Sequence, residues 1–462
     1  MDRLTPQSAS FLHAETGHQL MHVGSVAVFD GPPPSYDEIR VHLERTLPLM
    51  PRFRQRIRTV PLQVGRPVWV DDPEFLLRYH LRHTGLPRPG SDEQLQNLVG
   101  RLTSRPLDRT RPLWEMYVVE HLRGDRWAVV IKTHQAMVDG VSGSPLQSVL
   151  LSSDDSPRPP VTDLWMPRGE PSPGRLVLEA MTDLAIDPSE MWRAARAAYR
   201  AQRAATRWVA GTVGRRFRGR EQWGSPSLHG PLSRDRRWSF AEVDLDTIRR
   251  ARALHGVGVN DVIVALVTSG FRELLLRRGE MYDDSPLTVL LPVPVSDEGG
   301  RYENELTVVS ADLPVSVSDP TARLQMVAAE LAAKVDRTVT AELLSSLHGY
   351  APPLMLALGT RMATRAGRYD TETQSVLTNV PGPQQPRFLL GRRMLQSYPV
   401  VPLHEGVHIT VGAMSYDGRV AFGVTGDYDS CPDLDVMTEA MRPALTELLA
   451  RSSVDILRLA SS

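Results

Sequence analysis

Apolar and polar positions along the chain fall into two recurring patterns. Short apolar or alternating runs of strand length occur at 21–29 (MHVGSVAVF), 68–70, 76–83, 116–120, 127–131, 238–243, 288–294, 304–313 and 375–377. Longer stretches with apolar residues three and four apart predict helices over 36–47, 91–102, 246–254, 262–277, 320–340 and 434–451. Ser35 stands where it can cap the first of these, and Asn260 is placed to cap the helix that starts near 262. The runs 408–415 and 420–427 flank Asp417-Gly418 and predict a hairpin. Trp127 to Ile131 has no polar interruption, which suits a strand buried on both faces.

Strands and helices interleave at both ends of the chain, so the expected class is α/β. A chain of 462 residues exceeds one ordinary core. The expectation is two units, 1–150 and 236–462, joined by a connector over 151–235. The connector opens with loop-like stretches at 152–160 and 169–174. A long helix is then predicted over 188–220, with Arg193, Arg196, Arg200, Arg203 and Arg207 on one face. That stripe has two readings: a solvated face of a crossover helix, or a surface resting on anionic lipid. Flotation with liposomes, before and after all five arginines become glutamine, separates them. The apolar stretch 343–363 is broken by Pro352-Pro353, which suits a helix pair or a lid better than a membrane span.

Composition narrows the field. The formal charge of −1 offers no global field to recruit nucleic acid. Lys132 and Lys334 are the only lysines; the other basic residues are arginine. A single cysteine, Cys431, forms no internal disulfide and fits a reducing, cytoplasmic setting, with peripheral contact at membranes or lipid droplets left open. No secretory leader and no apolar run of membrane-spanning length is expected. No His/Cys spacing suggests a metal site.

The chemistry-bearing residues cluster in a few places. His134, Gln135, Asp139 and Gly140 follow the apolar run 127–131 at an expected strand end, where a rigid backbone meets a loop. Pro112-Leu113-Trp114 precedes a neighbouring strand. Asn260-Asp261 opens a long helix, and Thr378-Asn379 leads into Val380-Pro381-Gly382-Pro383.

In that order these motifs resemble the signatures of the bacterial wax ester synthase/diacylglycerol acyltransferase family, within the chloramphenicol-acetyltransferase-like superfamily of CoA-dependent acyltransferases. His134 to Gly140 is similar to its HHxxxDG motif. The resemblance implies two such domains, each a mixed sheet flanked by helices, with a tunnel between them. It also implies that the strand at 375–377 crosses from the second domain to wall the active site. The implied activity is acyl transfer from acyl-CoA to diacylglycerol or a long-chain alcohol, with acyl-CoA as substrate and no cofactor. His134, Gln135 and Asp139 are the implied catalytic positions, with Gly140, Pro112, Leu113 and Trp114 as framework. Asn260, Asp261, Thr378 and Asn379 are placed beside the substrate.

The second histidine of the motif is the family's base, and here that position is Gln135. A carboxamide orients a hydroxyl or donates to an oxyanion but takes no proton at neutral pH. Three readings stay open: His134 serves as base, turnover proceeds by orientation alone, or the chain binds acyl-CoA or lipid without turnover. A condensation-type transferase using carrier-protein thioesters shares the histidine motif and is a further alternative.

Overall fold

A computed structural model of the chain describes residues 2–138, 145–153, 163, 165–186, 226–281, 286–296, 302–335 and 373–459. Asp139, Gly140, the arginine-striped segment 188–220 and the apolar segment 343–363 lie outside the described residues.

Two six-stranded sheets carry the fold. The first runs in the order Phe388–Leu389, Arg392–Val400, His22–Asp30, Arg126–His134, Trp114–Leu122, Leu81–Gly85. The second runs Tyr302–Leu313, Leu287–Ser296, Ser375–Val380, Ile409–Tyr416, Arg419–Asp427, Arg236–Asp244. Both sheets are mixed: Leu81–Gly85 lies parallel to Trp114–Leu122, and Ser375–Val380 lies parallel to both its neighbours.

The first sheet is not built from the first half of the chain alone. Arg392–Val400 pairs antiparallel with His22–Asp30, with Gly24 opposite Val400 and Val26 opposite Tyr398. The strand expected to cross, at 375–377, instead sits inside the second sheet, and Arg392–Val400 makes the crossing. It also fastens the two sheets, because Trp238 Nε1 donates to Pro399 O at 3.3 Å. Gly423 has no room for a side chain: a Cβ there would meet Pro399 O at 1.8 Å.

Local signals account for most boundaries. Ser35 and Ser91 each cap a helix, at Tyr36–Thr46 and Asp92–Thr103, through reciprocal capping boxes with Glu38 and Gln94. The helix Leu245–His255 ends where Gly256 turns left-handed at φ 66°. The 417–418 turn has Asp417 at φ 42° and Gly418 at φ 79°, the positive pair a tight hairpin needs. One expected strand is divided: 77–80 forms a single helical turn before the strand Leu81–Gly85 begins.

Three main cores result. One fills the second sheet around the helix Val259–Arg278, and one packs beneath Trp114, Trp127 and Ile131. The third joins the halves, uniting Tyr117 and Val130 with Trp238, Tyr398 and Ala421. Among the described residues no single helix is long and apolar enough to cross a membrane. The bent pair Leu245–His255 and Val259–Arg278 passes by length and composition, but most of its apolar residues line the core of the second sheet.

Candidate active site

The strand Arg126–His134 is buried along almost its whole length and ends in a tight 3-10 turn over Gln135–Met137. His134 is the pivot. It is fully buried, and its Nδ1 accepts the Ala136 backbone N–H at 3.0 Å. An accepting Nδ1 places the proton of the neutral ring on Nε2. That Nε2 points at the carboxylate of Glu15, 3.6 Å away, a separation too long for a hydrogen bond but close enough for electrostatic attraction. Both ring nitrogens therefore face protein, and the ring presents neither to a substrate.

Gln135 is differently placed. Its backbone N–H donates to Met21 O at 2.8 Å, which fixes the start of the turn. Its side chain is half-buried, and Oε1 is shielded from solvent with no hydrogen-bond partner among the described residues.

Three residues that sequence reasoning did not single out complete the cluster. Glu15 follows the helix Pro6–Ala14 and reaches His22 Nε2 at 3.3 Å as well as His134. Arg109 Nε donates to Glu15 at 2.9 Å, and its Nη2 bonds both Glu15 and Leu12 O. Burial would raise the Glu15 carboxyl, but the two imidazoles outweigh it and hold it well below the usual carboxylate range. The sequence signal was present only as a Glu and a His seven residues apart; nothing in their spacing announces that a sheet brings them together.

Pro112, Leu113 and Trp114 lie directly alongside. Leu113 O accepts the His134 backbone N–H at 2.9 Å. Trp114 is fully buried, donates Nε1 to Phe53 O at 2.9 Å, and stacks on His80 at 4.6 Å. The triplet thus clamps the motif strand and offers no reactive group.

Asn260 and Asn379 also meet: Asn379 Nδ2 donates to Asn260 Oδ1 at 3.0 Å. Asn260 is not the helix cap. Gly258 occupies that position, and the Asp261 carboxylate accepts its backbone N–H at 2.7 Å, which explains Asp261 without substrate. Thr378 is half-buried on the same strand as Asn379. Among the described residues, no hydrogen bond or ion pair links this group to His134 or Gln135.

The buried histidines make stability depend on pH. Burial pushes both His22 and His80 down from 6.5 to about 4. The unfolded chain then takes up protons that the folded chain refuses between those values. Their contribution is complete above about 6.5 and lost as pH falls toward 4, with a slope of about 1.4 kcal/mol per pH unit for each ring. Urea midpoints are expected to hold from pH 8 to 7 and fall below 6.5. His80→Asn, which keeps a donor for Trp114 O, should flatten that fall.

Known proteins resemble the chain over nearly its whole length. Residues 4–263 match the model of the wax ester synthase/diacylglycerol acyltransferase catalytic domain, and residues 302–449 match the WS/DGAT C-terminal domain. The chain belongs to the wax ester synthase/diacylglycerol acyltransferase family. A Mycobacterium tuberculosis protein, tgs1, described as a probable diacylglycerol O-acyltransferase, is 32% identical over 98% of this chain and 96% of its own length. A second, tgs3, is 38% identical over 54% of this chain and 95% of its own. The solved wax ester synthase/diacylglycerol acyltransferase of Marinobacter aquaeolei VT8 superposes with a TM-score of 0.71 at 24% identity, covering 98% of this chain and all of that one. The trichothecene 15-O-acetyltransferase of Fusarium sporotrichioides shares the fold at a TM-score of 0.59 and 10% identity, over 97% of this chain and 94% of its own. Within the family's motif, this member carries Gln135 where the resemblance places the base.

Proposed function

We propose that this chain transfers the acyl group of acyl-CoA to the hydroxyl of a diacylglycerol or a long-chain alcohol, giving triacylglycerol or wax ester and free CoA. The observation that supports it most directly is the match of residues 4–263 and 302–449 to both family models, with Gln135 standing at the end of the motif strand. The acceptor hydroxyl is held toward the thioester carbon beside the half-buried Gln135 side chain. The O–C bond forms, the C–S bond breaks, and the hydroxyl proton passes through water to the departing CoA sulfur. Orientation supplies the rate enhancement, since no imidazole takes the proton at the moment of attack.

The test is release of CoA thiol on mixing the protein with long-chain acyl-CoA and diacylglycerol, with the acylglycerol product followed in parallel. Slow but saturable release is expected. If neither the wild type nor Gln135→His releases thiol while both bind acyl-CoA, the transferase reading fails.

A second reading has its own observation. His134 faces protein on both nitrogens and Gln135 cannot accept a proton, so the chain would bind acyl-CoA or lipid without turning it over. It predicts thermal stabilisation by acyl-CoA with no thiol released. The carrier-protein alternative rests on a shared fold; offering a carrier-bound thioester as donor in the same assay tests it.

A further inference from the structure

We propose that Glu15 is a positioning residue whose carboxylate fixes the turn that presents residue 135 to the substrate. Its link to rate rests on the acyl-transfer reading above; its effect on the turn does not.

Four separate segments converge on this one carboxylate. Glu15 closes the helix Pro6–Ala14, with its backbone N–H on Phe11 O. Arg109, from the loop before the Pro112-Leu113-Trp114 triplet, anchors it through two donors and grips Leu12 O at 3.1 Å. His22 heads the first strand of the sheet and His134 ends the motif strand; the two are directly paired in register, with ring centroids 6.2 Å apart. The carboxylate faces the Nε2 of both.

What lies beyond those rings is the turn itself. The far side of His134 holds the Ala136 N–H, and Met21, next to His22, holds the Gln135 N–H. Glu15 therefore acts at one remove on two of the hydrogen bonds that hold the turn around residue 135, the third being Val138 N–H to Gln135 O. Without its charge, the Nε2 of His134 faces no hydrogen-bond acceptor among the described residues. A ring free to swing releases the Ala136 N–H and, with it, the angle at which the 135 side chain leaves the strand. Outer partners that orient a functional group in this way are typically worth on the order of 10- to 100-fold in activity.

The experiment uses the full chain. Hydrogen–deuterium exchange is measured on peptides covering 132–138 and 409–427, in the wild type and in Glu15→Gln, which keeps the shape and loses the charge. Exchange over 132–138 is expected to accelerate about tenfold, with 409–427 unchanged. In the CoA-release assay, kcat should fall about tenfold while KM for acyl-CoA stays within about twofold. Should Glu15→Gln loosen both peptides through global unfolding, Arg109→Ala takes its place. That variant removes only the half-exposed anchor and should move 132–138 in the same direction by about threefold. Unchanged exchange over 132–138 overturns the proposal. So does faster exchange with an unaltered kcat. Absence of thiol release from both the wild type and Gln135→His would count against the transferase reading alone, and exchange over 132–138 would still decide the role of Glu15 in the turn.

Discussion

Gln135→His is expected to raise kcat for CoA release by on the order of 100-fold, with little change in KM. The argument starts from the backbone. The N–H of residue 135 is committed to Met21 O and its C=O accepts the Val138 N–H, so the Cα–Cβ direction is set by the turn and survives the substitution. The space beyond Cβ already holds a side chain with an unpaired acceptor atom. An imidazole projected from that Cα puts a proton acceptor where the amide oxygen now stands. General bases contribute about 10²- to 10⁴-fold; the low end applies because the surroundings have been shaped around a carboxamide. Steady-state thiol release at saturating acyl-CoA checks it. A variant that binds acyl-CoA normally and turns over no faster would mean that residue 135 does not face the reacting atoms.

The second large effect is on stability. His134→Ala is expected to destabilise the protein by about 3–5 kcal/mol. The ring fills a fully buried site, so truncation leaves a cavity. It also removes the acceptor of the Ala136 N–H and one of the two rings facing the Glu15 carboxylate. Urea unfolding measures the loss. Activity should fall in step with the folded fraction and the disordered turn. A variant as stable as the wild type but without activity would contradict this, and would make His134 the base.

The sequence revealed the motif strand because Trp127 to Ile131 is apolar without a break, and a strand buried on both faces leaves that signature. The capped helices and the 417–418 hairpin were legible because their determinants are local. The crossing strand Arg392–Val400 was not, because its partner is His22–Asp30, some 370 residues earlier, and its own pattern mixes arginine, glutamine and serine with apolar residues. Asn260 does not cap its helix, because Gly258 and Asp261 form the box from two residues upstream, and a glycine cap has no side chain to mark it. The division at 77–80 follows from His80, whose ring stacks between Phe75 and Trp114 and whose Nδ1–H donates to Trp114 O at 2.7 Å, a tertiary arrangement that overrides the apolar run.

Within the site, the motif gave the positions 134 and 135 but not their orientations. Whether a histidine at a strand end looks inward or toward a cleft depends on what lies behind it. Here that is Glu15, placed by a helix end over a hundred residues away and tied by Arg109. Charge pairs of this kind leave no periodicity to read.

The most direct test is the pH dependence of kcat for CoA release, measured from pH 5.5 to 8.5 in the wild type and in Gln135→His. With no imidazole facing the reacting hydroxyl, the wild type should show no inflection in the imidazole range. Gln135→His should acquire one near about 6.5. A wild-type inflection in that range that disappears in His134→Asn would show that the buried ring takes the proton after all.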